Sequence, residues 1–269
     1  MSTPLITLLT DFGTADAYVA AMRGVLLRLC PAARHVTITH EVPPQDVWRG
    51  AFVLAGAAPW FPPRTVHLAV VDPGVGTDRR AIVVASGSHL FVGPDNGLFT
   101  LVLDRDPRAR VLRIDRRDLG PVRIHPTFHG RDLFAPVAAR LAAGLDPGQL
   151  GPPIDDPVRL ALEPARVGAD RIEVTVLDVD RFGNVTTNLA PGDLVPPAPG
   201  RTPRLGLPGQ PARPLARTYA EAEPGATILL WGSSGWLEIA RNRDSAAEAL
   251  GLGPGDRLRL SLAWDAPRA

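Results

Sequence analysis

The chain has 269 residues and a net charge of +1, from 29 basic and 28 acidic side chains, and it contains no lysine. That balance offers no global field to draw in nucleic acid or a membrane surface, and without lysine there is no phosphate-cradling P-loop. A single cysteine, Cys30, excludes an intrachain disulfide or a cysteine metal cluster and fits a reducing, cytoplasmic setting.

The N-terminus MSTPLITLLTDFG lacks a basic leader and reads as a first strand, PLITLLT, that delivers Asp11 to its carboxyl end. Apolar residues at Tyr18, Met22, Val25, Leu26 and Leu29 then recur at helical spacing, predicting a helix over Ala15 to Leu29 with Asp16 as its cap. A strand from Arg34 to Thr39, a helix from Asp46 to Ala58 and a strand from Thr65 to Val71 follow. This βαβαβ order predicts an α/β fold built on a doubly wound, mainly parallel sheet.

The third strand runs into VVDPGVGTDRRAIVV, residues 70–84, where Asp72, Arg79 and Arg80 occupy a polar turn. Open α/β sheets place their ligands at the carboxyl ends of strands. As plain connection chemistry, the same Pro, Gly and Asp set a turn. Gly74-Val75-Gly76 begins a dinucleotide fingerprint, but Arg79 stands where a third glycine is needed and a strand follows in place of a helix. Ala81 to Ala85 and His89 to Val92 predict a hairpin, and Asp95 and Asn96 in GPDNG read as turn residues. Another strand is expected at Arg110 to Ile114. His129 lies on the loop before a helix running to about Ala143, with Asp132 as its cap.

Composition shifts after Gly144, and LDPGQLGPP with Asp155-Asp156-Pro157 marks a linker region. The expected domains are 1–163 and 170–269. The second reads as a small antiparallel β domain with strands at Arg171 to Val179, Thr227 to Trp231, Trp236 to Ala240 and Arg257 to Leu262. Its Pro-rich run from Pro191 to Pro214 reads as loop, and Ser245 to Leu250 as a short helix.

Five separated stretches share one resemblance: LTDFGTADAY at 9–18, VDPGVGTDRR at 71–80, FHGRDLFAPVA at 128–138, DRFGNVTTN at 180–188 and SSGWLEIARN at 233–242. Together they resemble the adenosine-forming S-adenosylmethionine hydrolases, or hydroxide adenosyltransferases, which are related to fluorinase and chlorinase. The resemblance implies an N-terminal α/β domain, a C-terminal β-barrel domain and a homotrimer with active sites between subunits. It implies Asp72, Arg79 and His129 as the groups that position and activate a water, His129 taking its proton. It further implies Asp11 on the ribose hydroxyls, Asn184 on the adenine edge, Asp180 on the methionine ammonium and Ser233 on its carboxylate. S-adenosylmethionine is then the substrate, with no metal and no further cofactor.

Two departures set the chain apart from the halogenases, whose pattern has tyrosine at the position of Asp72 and, in fluorinase, serine at that of Gly130. A carboxylate at residue 72 repels a halide, so hydroxide transfer is expected. The halogenase arginine after the serine is Ser234 here. A non-catalytic adenosyl-binding or regulatory protein and a halide-using relative remain the competing readings. A methyltransferase fits less well, because TDFGTAD replaces the glycine-rich loop expected after a first strand.

Overall fold

The computed structural model describes residues 3–115 and 123–265. The chain divides into two compact units, Met1–Leu160 and Ala161–Ala269.

The first unit is a mixed α/β body around one six-stranded sheet. Its strands are β1 (Leu5–Thr10), β2 (Arg34–Thr39), β3 (Val66–Val70), β4 (Ala81–Ser86), β5 (His89–Pro94) and β6 (Arg110–Arg113), ordered β2-β1-β3-β5-β4-β6. β1 pairs in parallel with β2 and β3, and β3 with β5; β4 is antiparallel to β5 and β6. The expected hairpin of β4 and β5 therefore sits inside the sheet and makes it mixed.

Strand β1 shows why its apolar run is nearly continuous. Ile6 and Leu8 pack into one cluster with Met22, Leu26, Phe134 and Val137, while Leu9 packs into another with Leu54, Phe91, Phe99 and Val102. Both faces are covered, as a parallel strand requires. Helices α1 (Tyr18–Leu29) and α4 (Ala135–Ala142) supply the first cluster, α2 (Val47–Ala57) and α3 (Thr100–Arg105) the second.

Several local expectations need correction. Helix α1 begins at Tyr18, after Ala17, and Asp16 makes no cap; its buried stripe is Val19, Met22 and Leu26, with Tyr18 and Leu29 turned outward. Asp46 does cap α2, accepting the Arg49 amide at 2.8 Å. Asp132 is no cap either. It lies within a π-helical turn, Gly130–Phe134, that precedes α4, and its carboxylate is taken by the His125 amide and by Arg131.

The second unit is an antiparallel sheet assembled from short strands. They are β7 (Arg166–Val167), β8 (Arg171–Val179), β9 (Val185–Thr187), β10 (Pro203–Gly206), β11 (Arg213–Pro214), β12 (Thr227–Trp231), β13 (Leu237–Arg241) and β14 (Arg257–Trp264). The path is β11-β10-β14-β8-β9-β13-β12, with β7 beside β8. β10 and β11 fall inside the Pro-rich run read as loop; Pro203 opens a strand and β11 is an edge, positions where proline's missing N–H is tolerated. Alternate residues of the long strands, among them Ile172, Val174, Leu237, Ile239 and Leu260, fill one apolar cluster. Ser245 caps α5 (Ala246–Leu250) by accepting the Glu248 amide at 3.1 Å. Among the described residues no helix is long and apolar enough to cross a membrane.

Candidate active site

Asp72 follows β3 and Asp11 follows β1. The register Thr10↔Val70 makes these strand ends neighbours, so both carboxylates leave the same edge of the sheet. The turn after β3 closes on itself through Val75 N–H to Asp72 O at 3.2 Å and Thr77 Oγ1 to Gly74 O at 2.7 Å. It brings Arg79 back onto Asp72. Arg79 Nε donates to Asp72 Oδ1 at 2.9 Å and Nη2 to Oδ2, a fork-to-fork pair. Both side chains are buried, at 4% exposure for Asp72 and 9% for Arg79.

The segment carrying His129 reaches this pair because residue 76 is glycine. Gly76 has φ +82°, and a Cβ there would stand 2.8 Å from the Pro126 carbonyl oxygen. Residues 125–132 are tied together by the Asp132 bonds and by Arg131 stacked 4.7 Å over Phe128. Gly130–Phe134 then continues as a π-turn, an irregularity frequent at functional sites. His129, 2% exposed, is thereby set with Nδ1 2.7 Å from Arg79 Nη2, and the Arg79 guanidinium also lies 5.1 Å from the Phe134 ring centre.

A guanidinium only donates, so at this contact His129 Nδ1 is the acceptor. With Nδ1 engaged by the guanidinium, that nitrogen is not open to take a proton from water.

Asp11 carries a different signature. Oδ2 accepts the Gln45 amide at 2.8 Å, and Gln45 adopts φ +67° to deliver it. Such a left-handed non-glycine residue costs about 1 kcal/mol or more. Oδ1 is buried and accepts no hydrogen bond among the described residues. A dry, unpaired carboxylate oxygen is what a ligand hydroxyl would satisfy. Asp95 and Asn96 are structural, as read from the sequence: Asp95 accepts Arg80 Nε at 2.6 Å and the Val158 amide at 2.8 Å, and Asn96 Nδ2 donates to Val71 O at 2.8 Å.

In the second unit Asp180 and Asn184 share one loop between β8 and β9. Asp180 Oδ1 accepts the Phe182 and Asn184 amides at 2.8 and 2.9 Å, and Oδ2 accepts Asn184 Nδ2 at 3.0 Å. Both line a cleft of ≈ 710 Å³ whose walls include Phe182, 76% exposed, and Tyr219. Ser233 is exposed on the turn between β12 and β13 and does not line that cleft. Sequence reasoning missed Gln45, Tyr219 and Glu238. The Tyr219 hydroxyl donates to Glu238 Oε1 at 2.7 Å. Burial, then that bond and the charges of Glu238 and Asp180, push the Tyr219 phenol up to about 12, while burial and repulsion from Asp180 raise the Glu238 carboxyl. The signal was an acid inside the apolar run WLEIA.

Residues 6–151 match the SAM hydroxide adenosyltransferase N-terminal domain and residues 174–259 its C-terminal domain. The chain belongs to the SAM hydroxide adenosyltransferase family. Within it, the (R)-S-adenosyl-L-methionine hydrolase of Salinispora tropica is 47% identical over 96% of this chain and 98% of that one. A namesake from Thermus thermophilus is 44% identical over 94% and 97%. A fluorinase of Actinoplanes is 28% identical over 89% and 91%. A conserved Thermotoga maritima protein of known crystal structure superposes with a TM-score of 0.84 at 34% identity, covering 95% of this adenosyltransferase-family chain and 99% of its own.

Proposed function

We propose that this chain hydrolyses S-adenosyl-L-methionine, in the (R) sulfonium form named in its relatives, to adenosine and L-methionine. The observation that carries the reading is the buried Asp72–Arg79–His129 unit at the carboxyl edge of the sheet, in a chain of this family. The sulfonium is already an excellent leaving group, so the enzyme needs an oriented oxygen nucleophile and a dry pocket, with no metal or cofactor to supply. Water attacks C5′ in line with the C5′–S bond. The C–O bond forms as the C–S pair departs onto sulfur, leaving a neutral thioether. Arg79, donating to His129 Nδ1, orients the imidazole beside that water, and Asp72 takes the proton released.

Asp11 Oδ1 then accepts from the ribose, Asn184 reads the adenine edge, and Asp180 and Ser233 hold the amino-acid end. These groups divide between the two units, which supports reading the units as the family's N-terminal domain and C-terminal barrel. We place the active site between subunits of a homotrimer on the resemblance to the family. The Asp72 carboxylate disfavours a halide: a like charge 4 Å away costs about 4 kcal/mol at an effective dielectric of 20.

The test is turnover in ¹⁸O-labelled water. The label is expected at the 5′ oxygen of adenosine, with one methionine per adenosine. Binding without turnover would make the protein a non-catalytic adenosyl binder, and unlabelled adenosine would refute attack by water.

A further inference from the structure

The register of the second sheet assembles a buried polar row that nothing in the proposed mechanism uses. Asp178 on β8 pairs with Thr186 on β9, and Thr186 with Glu238 on β13. Their exposures are 5%, 7% and 8%. Successive residues of a strand face opposite sides, and the neighbours Val185, Leu237 and Ile239 fill the apolar cluster. The polar row therefore occupies the other face, the one toward which Asp180 and Asn184 continue.

Glu238 is the end of this row nearest the turn that carries Ser233, and only one of its oxygens is engaged. Oε1 accepts the Tyr219 hydroxyl, and Tyr219 lines the cleft with Asp180 and Asn184. Oε2 takes no hydrogen bond among the described residues. It lies against the turn that carries Ser233: a Cβ on Gly232 would stand 2.8 Å from it. Neither Asp180 nor Glu238 enters an ion pair among the described residues, and the arginine on the same strand, Arg241, is committed to Gly225 O at 2.7 Å and Asp244 at 3.0 Å. A buried carboxylate without a countercharge is costly. An organic cation carried by the substrate would supply the countercharge that no described side chain gives Glu238. Burial first, and then the charge of Asp180, push both Glu238 and Tyr219 upward, a direction that a cation at this face would oppose.

We propose that Glu238, braced by Tyr219, is a specificity-determining residue that receives the α-ammonium of the substrate's amino-acid end together with Asp180. This rests on the hydrolase reading above and adds to it the residue that distinguishes an aminoacyl sulfonium from a simple one. Asp180 already accepts three hydrogen bonds within its own loop, and Glu238 Oε2 adds a second carboxylate oxygen to receive the ammonium.

The test compares S-adenosyl-L-methionine with 5′-deoxy-5′-(dimethylsulfonio)adenosine, which keeps the sulfonium and lacks the ammonium. Glu238→Gln retains an oxygen to accept from Tyr219 and removes only the charge, so it should fold. In this variant the ratio of kcat/KM for the two compounds should fall about tenfold, through KM for S-adenosyl-L-methionine, as expected for loss of one charge-assisted hydrogen bond. Tyr219→Phe, which unbraces the carboxylate and keeps the ring, should lower the ratio a few-fold and serves if the first variant melts early. An unchanged ratio in both variants, including an equal loss on both compounds, overturns the assignment. A wild-type protein that releases adenosine from neither compound overturns the hydrolase reading instead.

Discussion

Replacing Asp72 by Asn tests whether the buried trio is one working unit. The carboxylate accepts two hydrogen bonds from Arg79, at Oδ1 and Oδ2. Asparagine keeps one acceptor oxygen and turns an NH₂ group toward a guanidinium N–H, so one bond becomes a donor-donor conflict and the ion pair is lost. A hydrogen bond to a charged group contributes about 1.5–3 kcal/mol, and Arg79, 9% exposed, is left with its charge uncompensated. A loss of about 2 kcal/mol is expected, lowering the melting temperature by roughly 4–8 °C in a protein of this size. The kinetic effect should be larger, because the variant also loses its proton acceptor: general-base assistance is worth about 10²–10⁴-fold. Adenosine release followed by chromatography at saturating substrate should show kcat down by that factor with KM changed far less. A variant that keeps kcat within a few-fold while melting early would refute the assignment of Asp72 as acceptor and leave it a structural anchor for Arg79.

Asp11→Ala should raise KM for S-adenosyl-L-methionine about tenfold or more and spare kcat, since a ribose clamp binds ground and transition states alike; a fall in kcat alone would move Asp11 into the chemistry. Stability should fall as the pH drops from about 6.5 toward 3, because His67, fully buried between Thr7 at 2.8 Å and His89 at 3.1 Å, is held neutral by burial and then by His89, its pKa lowered from 6.5 to about 3. The unfolded chain takes up the proton that the native one refuses, so the loss at pH 5 is about 2 kcal/mol relative to neutral pH. Denaturant melts of wild type and His67→Gln should differ by that amount in their pH dependence, and parallel curves would refute it. If the site is shared in a trimer, specific activity should decline on dilution as sedimentation shows subunits separating; a monomer with full turnover would refute sharing.

How far the sequence was legible depends on the range of the interaction. Local signals read well: Asp46 before an apolar helix became a cap, and Asp95 and Asn96 became turn pins. Asp16 and Asp132 misled, because a capping residue type was present but its carboxylate found no amide of its helix to bind, or was claimed by Arg131 and His125. The Pro-rich run concealed β10 and β11, since two- to four-residue edge strands carry almost no periodicity. The site itself was legible as motifs, while its wiring was not. Asp72 and Arg79 are seven residues apart and meet through one turn, but His129 arrives from fifty residues further on. Which nitrogen it turns to Arg79 depends on a glycine at 76 that admits the Pro126 carbonyl and on a π-turn at 130–134. That contact is set by long-range packing and carries no local sequence pattern. Beside it the chain has placed a carboxylate where the halogenase pattern has a phenol. In the proposed chemistry the carboxylate that repels a halide is also the group to which a water loses its proton.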